Sequence, residues 1–246
     1  MNVTTTTAPE IAPELPQGWI ESGLWVMPSY NREKRALAAI DSCIKAGQST
    51  EGILVCDGCV YQRPNQATWT VAALPERREM AGAMNWAREF MPNRTWYGLL
   101  TDGVHPTTQN WDVKMLHAAG ERHIAWCDDG WRHGRRIGGI VVFPGWLLDA
   151  LGWWVLPGLT HLYMDDVWEA LVSALNNGLY VIDVKCDYRC ANNGREAPDE
   201  ATSRIFNGVP YADRDKATFR QWAMNDLPAA VKRVKDAWKQ RTGEAW

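Results

Sequence analysis

Two apolar runs in this chain stop on a carboxylate. Gly52-Ile53-Leu54-Val55-Cys56-Asp57 and Leu99-Leu100-Thr101-Asp102-Gly103-Val104-His105-Pro106 each read as a buried strand that carries an acid to the carboxyl edge of a sheet. That edge is where open α/β folds bind nucleotides and metal ions. A third acidic feature, Asp165-Asp166 within His161-Leu162-Tyr163-Met164-Asp165-Asp166-Val167-Trp168, opens a helical pattern. A carboxylate there can cap the helix or, facing a cleft, remove a proton from a hydroxyl. Side by side in sequence, the two cannot both point the same way.

The elements that would position these groups alternate between strand and helix. Strands are expected at residues 23–27, 52–57, 68–73 and 96–101, with helices at 32–46 and 76–90 between them. This rhythm predicts a mostly parallel sheet covered on both faces, its strand ends bringing Ser29, Asn31, Asp57 and Asp102 to one crevice. The second half predicts strands at 124–127 and 137–143 flanking the turn Asp128-Asp129-Gly130 as an antiparallel addition. Helices at 145–151 and 165–176, a strand at 179–184 and a last helix opening at Asp226-Leu227-Pro228 complete the reading. Leu227, Val231, Val234 and Trp238 give that last helix one apolar face. Residues 1–17, with four consecutive threonines and three prolines, are expected to be a flexible leader with nothing to bury. The expected organisation is that leader, an α/β domain over 18–212, and a basic helical extension over 213–246 packed on it.

With 246 residues, 46% of them hydrophobic, the chain has ample material for a core. Most of the fifteen tryptophans are expected to be structural. The net charge of −3 excludes a molecule built throughout as a polycation, but residues 214–242 carry a local excess of +5. Such a tail fits either a solvated helix face or contact with a polyanion. Six cysteines without a signal peptide or a bilayer-length apolar run favour a cytoplasmic protein with reduced thiols. The spacings Cys56-x-x-Cys59 and Cys186-x-x-x-Cys190 also match a four-thiolate zinc site, although Cys56 ends an apolar strand and is expected to be buried as a small hydrophobe.

Several motifs occur in an informative order. Pro28-Ser29-Tyr30-Asn31-Arg32 follows the first strand, Asp57 ends the second, Asn85 lies in the helix before the central strand, and Thr101-Asp102-Gly103 precedes Trp111-Asp112. Together with the run 161–168 they resemble inverting, family-two-like glycosyltransferases of the GT-A fold, over roughly residues 23 to 190. The resemblance implies a single-domain α/β protein that transfers a sugar from a UDP- or GDP-sugar to an acceptor hydroxyl. It places Pro28, Ser29, Tyr30, Asn31, Arg32, Asp57, Arg78, Asn85 and Asp102 at the donor, and Asp166, preferred over Asp165, as the base.

The same resemblance implies Mn2+ or Mg2+ at an Asp-x-Asp motif, but Gly103 and Val104 stand where further polar ligands belong. A rebuilt site from Asp102, His105 and Asp187 is one expectation. Cys190 is a poor alternative, because these cations prefer oxygen. Neutralisation of the diphosphate by Arg78, Lys185 or Arg189 is another, and binding without catalysis a third. Asp129, Trp131 and Trp154 are acceptor-side candidates. Acceptors that fit include a hydroxymethylated base in viral DNA met by the basic C-terminal helix, a glycan, or a small molecule. The competing functions are a noncatalytic nucleotide-sugar or DNA-binding protein, and a nucleotidyltransferase.

Overall fold

A computed structural model describes residues 4–7, 18–62, 64, 67–133, 136–199, 203 and 211–246. Its strands are β1 (Thr4–Thr6), β2 (Leu24–Ser29), β3 (Gly52–Asp57), β4 (Trp69–Leu74), β5 (Trp96–Leu100), β6 (Val104–Pro106), β7 (Ile124–Asp128), β8 (Ile140–Pro144) and β9 (Gly178–Tyr188). Its helices are α1 (Glu33–Lys45), α2 (Glu79–Phe90), α3 (Trp111–Ala119), α4 (Gly145–Leu151), α5 (Met164–Leu175), α6 (Tyr211–Asn225) and α7 (Leu227–Thr242).

The strands lie in the order β1-β9-β7-β8-β5-β2-β3-β4, with β6 pairing on β9. The β2–β3, β2–β5, β3–β4, β7–β9 and β1–β9 pairs are parallel, while β8 runs antiparallel to both β5 and β7. The expected mostly parallel α/β sheet is therefore present. Strand alternation divides the core between its two faces. Val26, Val55, Leu99, Val141 and Trp126 pack under α2, α4, α5 and α7; Met27, Leu54, Leu100, Val142 and Cys127 pack under α1 and α3.

Tryptophan fills much of both layers. Trp25, Trp69, Trp96, Trp111, Trp126 and Trp154 are fully buried, and Trp25 packs 4.7 Å from Trp111 and 5.3 Å from Trp96 between ring centroids. In α1 the buried residues Ala36, Ala39, Ile40 and Cys43 follow the helical repeat. In α7 they are Ala230, Val234 and Trp238, and the helix packs against α4 and α5.

Some elements differ from the sequence reading. Thr4–Thr6 pair in parallel with Leu179–Val181, so part of the expected leader is an edge strand; residues 1–3 and 8–17 lie outside the described residues. Helix α2 starts at Glu79 rather than 76, because the Arg78 N–H is turned to donate to Asp57. The strand expected at 137–143 starts at Ile140, after Gly139 takes φ +71°. The expected last strand extends to Tyr188 and carries the antiparallel β6. Helix α3 was not anticipated as an element, and α6 falls largely within the stretch read as a helical extension. No described helix is long and apolar enough to cross a membrane.

Candidate active site

The carboxyl ends of β2, β3 and β5 open into a cleft of about 330 Å³. Pro28, Ser29, Tyr30 and Arg32 line it from the β2–α1 turn, Asp57 from β3, and Thr101 and Asp102 from the end of β5. Across from them stand His161, Leu162, Tyr163, Met164 and Asp165, at and just before the first turn of α5. Groups far apart in sequence converge because parallel crossovers align the strand ends.

Of the acids that line the cleft, Asp102 is the most heavily engaged. Ser29 Oγ donates to its Oδ2 at 2.9 Å, while Arg32 Nη1 and Arg35 Nε lie 3.5 and 3.3 Å from its Oδ1. Arg35 Nε also donates to the Asp102 carbonyl at 3.2 Å. Arg32 in turn forms a two-pronged pair with Asp199 at 2.5 and 2.6 Å, and Arg35 pairs with Glu196. Tyr61 braces this corner: its hydroxyl lies 3.1 Å from Ser29 Oγ and accepts from the Arg32 N–H at 2.7 Å.

Asp57 accepts from the Arg78 N–H at 2.6 Å, and burial raises its carboxyl above the usual range against that hydrogen bond. The Arg77 guanidinium sits 3.7 Å from the Tyr30 ring centroid and donates to Glu79 at 2.6 Å. Its Nε and Nη1 are buried without a hydrogen-bond partner among the described residues. Burial, with Arg32 and Arg77 nearby, depresses the His161 imidazole to about 4, so this ring is neutral near pH 7.

Of the paired acids, Asp165 lines the cleft and Asp166 is not among its lining residues. The place on the cleft wall is therefore held by Asp165, whereas the sequence reading preferred Asp166 as the base. Burial raises the Asp165 carboxyl, and Arg136 pulls it back. Arg136 Nη2 lies 2.8 Å from Asp166 and 3.4 Å from Asp165, and its Nε donates to Glu169 at 3.2 Å. The loop that leads to these acids is tied down from behind. Fully buried Asp215, on α6, accepts from the N–H groups of Thr160, His161 and Leu162 at 2.9 to 3.1 Å.

Other expected donor residues lie elsewhere. Asn85 spends its amide on backbone, accepting from the N–H groups of Trp154 and Val155 and donating to the Val155 carbonyl. Asn31 is exposed in a left-handed turn, and Arg78 is exposed and contributes only its N–H to Asp57. Lys185 and Arg189 are exposed and do not line the cleft; Arg32, Arg35, Arg77 and Arg132 do. On the acceptor side, Trp154 is core, packed on Tyr97 and Phe143. Asp129 is buried and holds the Trp131 and Arg132 N–H groups. Trp131 is half-buried, 6.2 Å from the ring of cleft-lining Tyr188. Asp112 likewise is fully buried and accepts from the backbone and hydroxyls of Ser49 and Thr50.

Arg35 and Asp215 escaped the sequence reading. Arg35 had a signal, since three residues after Arg32 it falls on the same helix face. Asp215 had none, lying between Arg214 and Lys216 in a basic helix.

The expected metal set does not assemble. His105 faces Asp187 in the β6–β9 register, and burial lowers its imidazole. Asp187 is partly buried, yet hydrogen bonds from Arg189 and Arg195 hold its carboxyl below the usual range. Among the described residues no group of three His, Cys, Asp or Glu side chains is arranged to hold a metal ion. That disposes equally of the four-thiolate expectation: Cys186 instead lies 3.3 Å from Cys127, sulfur to sulfur. Asp102 alone is a poor cation ligand here. Its carboxylate is already engaged by the Ser29 hydroxyl and by Arg32 and Arg35, whose positive charges repel a cation.

Solved structures share this architecture. A mannosyltransferase from Pyrobaculum calidifontis, in complex with GDP-Man and Mn2+, aligns over 91% of this chain and 76% of its own, at 15% identity and a TM-score of 0.52. TarS residues 1–349 from S. aureus, in complex with UDP-GlcNAc, aligns over 91% and 73% at 12% identity and 0.61. Glucosyl-3-phosphoglycerate synthase from Mycobacterium tuberculosis, in complex with Mn2+, UDP-glucose and phosphoglyceric acid, aligns over 90% and 88% at 12% identity and 0.58. The chain has a GT-A-like fold. Its sequence matches no protein-family model and no curated protein. In the GT-A-like frame, the cleft lies at the carboxyl ends of the parallel strands, as the general rule for open α/β sheets requires.

Proposed function

We propose that this protein is a glycosyltransferase that moves a sugar from a nucleoside diphosphate sugar to an acceptor hydroxyl with inversion. The observation that carries the reading is the convergence of Asp57, Asp102 and the Pro28–Arg32 turn on one cleft, with Asp165 facing them. Asp57 offers an acceptor for the donor's base edge, Asp102 and Ser29 meet the ribose, and the arginines meet the diphosphate. The similar structures solved with GDP-Man, UDP-GlcNAc and UDP-glucose agree with this donor class.

In the transfer, the acceptor oxygen forms a bond to the anomeric carbon while the bond from that carbon to the diphosphate breaks. The electron pair leaves with the phosphate oxygen, and the acceptor's proton passes to Asp165. A base works best with a pKa near the operating pH, and burial moves Asp165 in that direction. Because the base acts only when deprotonated, activity falls as pH drops through its pKa. Removing the nearby positive charge in Arg136→Ala raises that pKa further, so the acid limb of kcat/KM should move to higher pH by a fraction of a unit. An unmoved or acid-shifted limb contradicts the assignment of Asp165.

The acceptor class is open to a direct test through α7. Lys232, Arg233, Lys235 and Lys239 are all exposed on it. If hydroxymethylated duplex DNA is the acceptor, neutralising these four residues weakens transfer and flattens its salt dependence. Transfer to such DNA with an unchanged salt slope would show that α7 does not hold the acceptor. The donor reaction is tested by incubating the protein with a panel of UDP- and GDP-sugars and measuring released nucleoside diphosphate, with product configuration read by NMR. Turnover lost in Asp165→Asn supports the reading. Tight nucleotide binding without turnover on any donor or acceptor points instead to a binding protein.

A further inference from the structure

We propose that Arg35, together with Arg32 and Arg77, takes the place of a divalent cation in this cleft and neutralises the donor's diphosphate. The inference rests on the donor class given above. Its first support is steric. A Cβ on Gly103 would overlap Arg35 Nη2 and the Arg189 carbonyl oxygen, so the position next to Asp102 that would carry a second carboxylate is filled by a guanidinium. Arg35 is locked there by Asp102 and by the Arg189 carbonyl, to which its Nη2 donates.

The second support is the placement of charge on α1. Arg32 is its N-cap residue and Arg35 lies in its first turn, where the helix dipole already presents positive charge. Two cations at that end oppose the dipole unless an anion sits there. In this structure Asp102 lies against both guanidinium groups, and the outer carboxylates of Glu196 and Asp199 pair with Arg35 and Arg32. A diphosphate offers the same paired oxygens with more charge, and planar guanidinium groups bind such oxygens in two-pronged fashion. Arg77 adds buried N–H groups, Nε and Nη1, that have no hydrogen-bond partner among the described residues. Donor binding therefore exchanges Glu196 and Asp199 for phosphate oxygens, and the charge that grows on the leaving diphosphate falls on arginines.

Calorimetric titration of UDP, GDP and the matching monophosphates tests this, with either EDTA or Mn2+ present. The wild type should bind its diphosphate in EDTA within about threefold of its affinity in Mn2+. Arg35→Ala should weaken the diphosphate by about tenfold or more, equivalent to about 1.4 kcal/mol or more, and the monophosphate by much less. Glu196→Gln, which removes the competing carboxylate, should tighten the diphosphate, whereas general damage to the fold would weaken it. Binding that requires Mn2+ overturns the inference but leaves the donor class standing. Equal weakening of mono- and diphosphate in Arg35→Ala, or weaker diphosphate binding in Glu196→Gln, also overturns it. No nucleotide binding under either condition overturns the donor class and this inference with it.

Discussion

Asp165→Asn should lower the rate of sugar transfer about a thousandfold while nucleotide-sugar affinity stays within about twofold. General-base catalysis contributes roughly 10²- to 10⁴-fold, and the amide keeps the shape of the carboxylate without its basicity. The companion Asp166→Asn should cost less than about tenfold, because Asp166 is held by Arg136 and does not line the cleft. Single-turnover rates with saturating donor, beside donor titrations, separate the two variants. If Asp166→Asn is the crippled one, the carboxylates have exchanged roles. If both affect donor affinity more than rate, the loop before α5 serves binding rather than proton transfer.

Asp215→Ala should destabilise the protein by about 3–5 kcal/mol, since a buried carboxylate that satisfies three N–H groups leaves them orphaned when it is removed. For a chain of this size that corresponds to a fall in Tm of roughly 10 °C. The same substitution should reduce transfer beyond what unfolding explains when assayed well below the new Tm. The 160–162 backbone that Asp215 holds leads directly to Asp165. Differential scanning calorimetry with a matched activity assay reads both effects. A Tm within about 2 °C of the wild type would show that the loop finds other partners. Asp215→Asn, which keeps an acceptor oxygen, should fall between the two.

The legible part of this fold is the part written in short-range pattern. Strands β3 and β5 show as unbroken apolar runs, and the acid at or just past the end of each signals the crevice that Asp57 and Asp102 line. The α5 acids were visible for the same reason, but which of them faces the cleft depends on helix rotation against a sheet, which neighbouring positions do not encode. Helix α3 escaped although Trp111, Met115, Leu116 and Ala119 keep its repeat, because Asn110 enters it in a left-handed conformation without a side-chain cap.

Misplaced residues share a cause. Asn85 and Trp154 meet backbone and core atoms distant in sequence, and Asp129 grips the N–H groups of its own turn. A buried acid gripping a turn and an acid awaiting a ligand look alike in one dimension. Gly103 was legible as a missing carboxylate, yet its meaning required seeing Arg35 in the space beside it. An arginine in the first turn of a helix reads as solvated surface until the fold folds it inward.

The most direct measurement is a crystal structure of the protein with its nucleoside diphosphate bound. The account predicts the base beside Asp57, the ribose at Asp102 and Ser29, and the diphosphate on Arg35, Arg32 and Arg77, with Glu196 and Asp199 displaced. A nucleotide bound outside this cleft, or one whose diphosphate contacts none of these arginines, would contradict it.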